Sequence, residues 1–125
     1  MAKEQNLKTI SVVAGSDLSG DQYHAVQLNG ENSMGLCGAG YAMLGVLQDH
    51  PASGQVGTVA YEGVTKAVAG TGGVSAGSGV RVVADGFTNT DGTHPNVGIA
   101  LTSATAGQYF DLLIRDNQGL LSFND

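Results

Sequence analysis

The stretch Gln108-Tyr109-Phe110-Asp111-Leu112-Leu113-Ile114-Arg115 decides the fold class. Phe110, Leu112 and Ile114 fall on one side, and Asp111 and Arg115 share the other with Tyr109 and Leu113. That period of two belongs to a strand with a core face and a partly wet face. Val80 to Ala84 repeats the pattern, with Val80, Val82 and Ala84 on one side and Arg81 opposite, and Tyr23 to Leu28 places His24, Val26 and Leu28 together. Between such runs stand Asn29-Gly30, Asp85-Gly86 and Asp91-Gly92, dipeptides that tolerate the positive φ of tight hairpin turns. No helical pattern survives: the best candidate, Tyr41 to Gln48, is interrupted by Gly45 and preceded by Gly40. The expectation is an all-β fold, a small single-domain β-barrel or sandwich, with a β-tulip-like arrangement as one form of it.

An internal echo organises the chain further. Gly45-Val46-Leu47 followed by Gly54-Gln55 returns 53 residues later as Gly98-Ile99-Ala100 followed by Gly107-Gln108. Each copy leads into an extended segment, Thr58 to Tyr61 and Asp111 to Ile114. The device is a strand, a small-residue turn and a second strand, used twice. It is expected to supply opposite walls of one barrel or sandwich. Two copies are too few for a solenoid, which needs about three or more. Structural turns are expected at Gly45, Pro51, Gly54, Gly63, Gly98 and Gly107.

Composition narrows the function. Charged residues make up 13% of the 125, glycine accounts for 20, and the net charge is −6. With five bases in all, the chain lacks the clustered Lys and Arg that phosphate contacts require, so no direct nucleic-acid binding is expected. No apolar run approaches the ~18 residues of a bilayer span, so no membrane partner is expected. The start, MAKEQNLKTI, lacks the features of a secretory signal, which implies synthesis and use in a cytoplasm. Residues 1–11 carry no turn signal and hold Lys3 and Lys8. They read as an N-terminal arm ahead of a single β domain over 12–125, with Lys3, Leu7, Lys8 and Ile10 as candidate capsid or subunit contacts. Lys8-Thr9-Ile10-Ser11-Val12-Val13 suits addition to a neighbouring subunit's sheet edge.

Catalytic patterns fail on context. Gly73-Val74-Ser75-Ala76-Gly77 fits a nucleophile elbow, with Asp85 or Asp91 and then His94 in hydrolase order. The following segment, Val80 to Ala84, reads as a strand where the elbow needs a helix, so a small serine hydrolase is only a remote alternative. His24, His50 and His94 are too scattered for metal-ligand spacing, and Cys37 has no partner cysteine. Neither a metal nor a cofactor is expected, and the chain is read as no enzyme. Cys37, among small residues, reads as a buried apolar side chain.

Four stretches carry a family resemblance: Leu18-Ser19-Gly20-Asp21-Gln22-Tyr23-His24-Ala25-Val26-Gln27-Leu28; Gly45-Val46-Leu47-Gln48-Asp49-His50-Pro51-Ala52-Ser53-Gly54-Gln55; Glu62-Gly63-Val64-Thr65-Lys66-Ala67-Val68-Ala69-Gly70; and Val97-Gly98-Ile99-Ala100-Leu101 with Ala106-Gly107-Gln108. In order and spacing they resemble the capsid cement, or head decoration, proteins of tailed bacteriophages. The sequence departs from that pattern at Ser78, where an acidic residue is expected, and over Asn29 to Ala39, which is longer and richer in glycine. The resemblance implies a virion structural protein that binds the outside of the phage head and stabilises major capsid protein contacts. It also implies a homo-oligomer, a trimer ahead of a dimer, on the capsid exterior after synthesis in the host cytoplasm. The alternative is a virion-surface module for a bacterial envelope glycan, for which Tyr23, Tyr41, Tyr61 and Tyr109 are the candidate rings.

Overall fold

The computed structural model describes residues 7–38, 42–92 and 96–115, and among them there are strands and no helix. The strands are β1 (Lys8–Ala14), β2 (Ala25–Leu28), β3 (Ser33–Leu36), β4 (Gly45–Leu47), β5 (Val56–Val68), β6 (Gly79–Val83), β7 (Gly86–Asn89), β8 (Gly98–Ala100) and β9 (Tyr109–Ile114). The all-β expectation holds. β9 buries Phe110, Leu112 and Ile114 as its alternation requires, and β6 buries Val80 and Val82.

Pairing closes on itself twice. β1 pairs with β3 in parallel, β3 with β2, β2 with β4, β4 with β5, and β5 returns to β1, these last four antiparallel. A second ring runs from the far half of β5 through β9, β8, β6 and β7, and a parallel bridge between Ala69 and Phe87 closes it. β5 is the last strand of the first ring and the first strand of the second. Its 13 residues serve both, with Gly63 at φ 110° where one ring hands over to the other.

The two rings are copies of one plan. Val46↔Ala60 and Leu47↔Val59 in the first reappear as Ile99↔Leu113 and Ala100↔Leu112 in the second, every residue shifted by 53. Ile10↔Val59 through Val13↔Val56 reappear as Thr65↔Leu112 through Val68↔Tyr109. Loop bonds match as well: the Gly15 and Gly70 amides donate to the Met34 and Phe87 carbonyls at 2.8 Å each. The expectation of two walls in one barrel is therefore corrected: each echo belongs to its own closed ring. The echo captured only the β4–β5 and β8–β9 segments, because the other strands share geometry with little shared sequence.

Core positions correspond too. Val12, Ala14, Val26, Met34, Leu47 and Val59 in the first ring match Ala67, Ala69, Val80, Phe87, Ala100 and Leu112 in the second, all buried. Volume is exchanged between partners: a Cβ on Gly57 would lie 2.8 Å from the Met34 terminal methyl, whereas its counterpart Phe110 packs edge-on against Phe87, centroids 6.0 Å apart. One ring fills its centre with a flexible thioether and the other with two phenyl rings. Ala25, Cys37, Val46 and Ala60, on the outward side of the first ring, join the second ring's core and weld the halves together.

Candidate interaction surface

The candidate contact residues of the N-terminal segment separate in space. Lys3 lies outside the described residues. Leu7 is half-buried and packs against the larger core cluster, so it is tied to the fold. Lys8 and Ile10 are in β1; Lys8 Nζ lies 3.8 Å from the Glu62 carboxylate, and Ile10 pairs with Val59 while 38% exposed. The expected arm boundary at residue 11 thus falls inside a strand. Lys8 to Val13 pair with β5 of the same chain. A strand edge in the same polypeptide is always at hand, and a neighbour's edge costs association entropy.

The candidate turn residues also separate. Gly54 and Gly107 occupy matching turns, each at φ +88°, and Pro51 is buried beside the first of them. Gly45, Gly63 and Gly98 sit within strands. Gly45 and Gly98 meet a different demand: a Cβ on either would overlap a neighbouring backbone carbonyl, Ala60 in one ring and Leu113 in the other. The loop tips next to these turns form shallow depressions, one lined by Gly72, Gly73, Val74, Ala104, Thr105 and Ala106, the other by Asp49, His50, Pro51, Gln55 and Val56.

Among the four tyrosines, Tyr23 and Tyr109 come together. Their rings meet edge to face, centroids 5.5 Å apart, and the Lys66 ammonium lies 5.7 Å from the centre of the Tyr109 ring. Tyr109 remains 56% exposed. Tyr23 has φ 70°, a left-handed conformation uncommon for a bulky residue. It holds that angle while its amide donates to the Leu47 carbonyl at 2.7 Å and its own carbonyl accepts from the Val68 amide at 3.2 Å. The second contact ties the first ring to the second. Tyr61 is separately exposed, and Tyr41 lies outside the described residues. Sequence reasoning had no signal for the Tyr23–Tyr109 contact, since the two residues are far apart in the chain and only the ring-to-ring joint brings them together.

Nearby acids and the cysteine are structural in their surroundings. The Thr71 amide and hydroxyl donate to the Asp85 carboxylate at 3.0 and 2.7 Å, and these bonds hold its pKa below the usual carboxylate value. Cys37 is buried, and burial pushes its thiol up to about 11. The Ser75 hydroxyl accepts a 3.4 Å hydrogen bond from the Asn89 side chain, and the His94 considered with it lies outside the described residues. Among the described residues no three His, Cys, Asp or Glu side chains gather as a metal site would require.

No family model and no curated protein matches the sequence. Among solved structures the chain is similar to the N base of the head fiber gp8.5 of bacteriophage phi29, with a TM-score of 0.66 and 16% identity over 87% of this chain and 94% of that one. At that identity the likeness is one of fold.

Proposed function

We propose that this chain is a structural protein of a phage virion that binds the outer surface of the head and stabilises contacts between major capsid protein subunits. The observation that carries the reading is the fold shared with a phage head fiber base over 94% of that chain. The cement-like order of the Leu18, Gly45, Glu62 and Val97 stretches supports it independently. On this reading the protein acts through binding energy alone. Many copies each grip more than one shell subunit, so release of a subunit requires several contacts to break together. A doubled, glycine-rich scaffold joined by one continuous strand suits that work: it offers a stiff bridge with few mobile charged side chains to immobilise on contact. The −6 balance complements basic ground on the shell. Self-association, a trimer ahead of a dimer, and contact through the N-terminal residues Lys3, Leu7, Lys8 and Ile10 complete the proposal. Titrating expanded heads with the purified protein and sedimenting them tests it. Saturation at a fixed ratio to shell subunits is the expected result.

A further inference from the structure

The joint between the two rings is made once in the chain, and both of its halves recur uncovered. At the end of the second ring where β8 begins and β6 finishes, Thr65, Val82 and Ile114 are buried. The first ring covers that end. Ala25, Val46 and Ala60, a cross-strand row on its outer wall, share one core cluster with Val82 and Ile114. Beside them the Gln48 side-chain amide donates to the Thr65 hydroxyl at 2.8 Å. The matching end of the first ring lies open: Ile10, Leu28 and Tyr61, the counterparts of Thr65, Val82 and Ile114, are 38, 53 and 41% exposed. The matching wall of the second ring is bare as well. Gly79, Ile99 and Leu113 repeat the Ala25, Val46 and Ala60 row while each remains half-exposed, and Leu101, 46% exposed, stands where the first ring has Gln48.

We propose that the open end of the first ring docks on the second ring's outer wall in another copy, Ile10, Leu28 and Tyr61 against Ile99, Leu101 and Leu113. The contact repeats between chains the joint already made within one. The proposal rests on the reading of the chain as self-associating and names both faces used. Paired side chains select the occupant. Where the made joint has the polar pair Gln48 and Thr65, the open end and the bare wall have Ile10 and Leu101. Both partners are apolar together, as the two halves of one contact must be. The bare row also holds Ile99 and Leu113 where the covered row holds Val46 and Ala60, so the wall left in water carries the larger apolar side chains. None of the six residues is charged. The net −6 of each copy therefore opposes docking only as a long-range repulsion, which salt screens beyond about 10 Å at 0.1 M. An end on one copy and a wall on the next form a head-to-tail contact, which closes into a ring when the rotation between copies permits and otherwise runs on as a fibre.

Sedimentation of the full chain tests the assignment, with thermal melting as the control for folding. Wild type is expected to self-associate, and more tightly in about 0.5 M salt than in about 0.05 M, because screening removes the repulsion and leaves the apolar contact. Leu28→Glu on the open end and Leu101→Glu on the wall are each expected to melt within a few degrees of wild type and to weaken association at least about tenfold. Mixed together they are expected to form a dimer and nothing larger, since Leu28→Glu keeps its wall and Leu101→Glu keeps its open end. Should either melt low, Ile10→Thr or Leu101→Gln takes its place with the same loss expected, each bringing in the residue that the other ring holds there. A wild type that stays monomeric at sub-millimolar concentration overturns the proposal, which is the result if residues 1–6 or a shell subunit occupy the open end instead. Folded variants that associate like wild type overturn it too, as does a mixture that associates no better than either variant alone. Head titration is a separate measurement, so failure here leaves the head-binding reading standing on its own result.

Discussion

Tyr23 and Gly77 occupy one and the same place in two copies of a five-stranded ring, each amide 2.7 Å from a matching carbonyl and each backbone at positive φ. Space and torsion can therefore be separated at this position. Nothing lies within 4 Å of a Cβ built on Gly77, so Gly77→Ala meets only the torsional penalty, expected at about 1 kcal/mol. Tyr23→Gly relieves the same strain and loses an edge-to-face ring contact worth about 0.5–1.5 kcal/mol, so its net effect is expected to stay within about 1 kcal/mol of zero. Chemical denaturation of both variants checks the pair.

The close approaches at Gly45 and Gly98 make a sharper test of the duplication. A methyl at either meets a carbonyl oxygen of the paired strand, so Gly45→Ala and Gly98→Ala are expected to destabilise by similar amounts, about 2 kcal/mol or more. Gly20, with open space around its Cβ and no positive φ, serves as the control. Gly20→Ala is expected to be neutral or slightly stabilising. Midpoints of urea unfolding for the three variants decide it.

Cys37 links burial to pH. Its thiol pKa is raised by burial to about 11, so the folded state favours the protonated form. That preference is fully present below the ordinary thiol pKa of about 8.5 and is lost as the pH rises through the folded value. Stability is expected to decline between about pH 9 and the folded pKa of about 11, and Cys37→Ser to flatten that decline. At pH 8 a thiol reagent is expected to label native protein far more slowly than urea-unfolded protein, which a colorimetric assay reads directly.

Much of this architecture was legible in the residues. The alternation in β9 and β6 marked strands with a buried face, and the Gly45 and Gly98 echoes marked the matching strand pairs. What stayed hidden has physical causes. Gly45 and Gly98 were expected at turns, yet they open β4 and β8, where the carbonyl of a distant paired strand leaves no room for a Cβ. β5 runs through Gly63, which was expected at a turn, although it supplies the positive φ between rings within one continuous strand. The pairing of β1 with β5 is a long-range contact, so Lys8 to Ser11 fell within the expected arm of residues 1–11. Tyr23 showed nothing of its strain, because tyrosine is an ordinary strand residue and its φ is set by the loop that surrounds it.

The N-terminal contacts now divide into two groups. Leu7 packs on the core and β1 completes the first ring, so deleting Met1 to Asn6 is the truncation that leaves the described fold intact. That form is expected to melt within a few degrees of the full chain. On the proposed function it occupies heads more weakly or associates less, as head titration and sedimentation report.

Titration of expanded heads with the full chain bears most directly on the proposed function. Bound protein is expected to rise to a plateau at a fixed ratio to the major capsid protein, and decorated heads to withstand heat or chelator longer than bare ones. Protein left in the supernatant at saturating dose, with heads no more resistant than before, contradicts it.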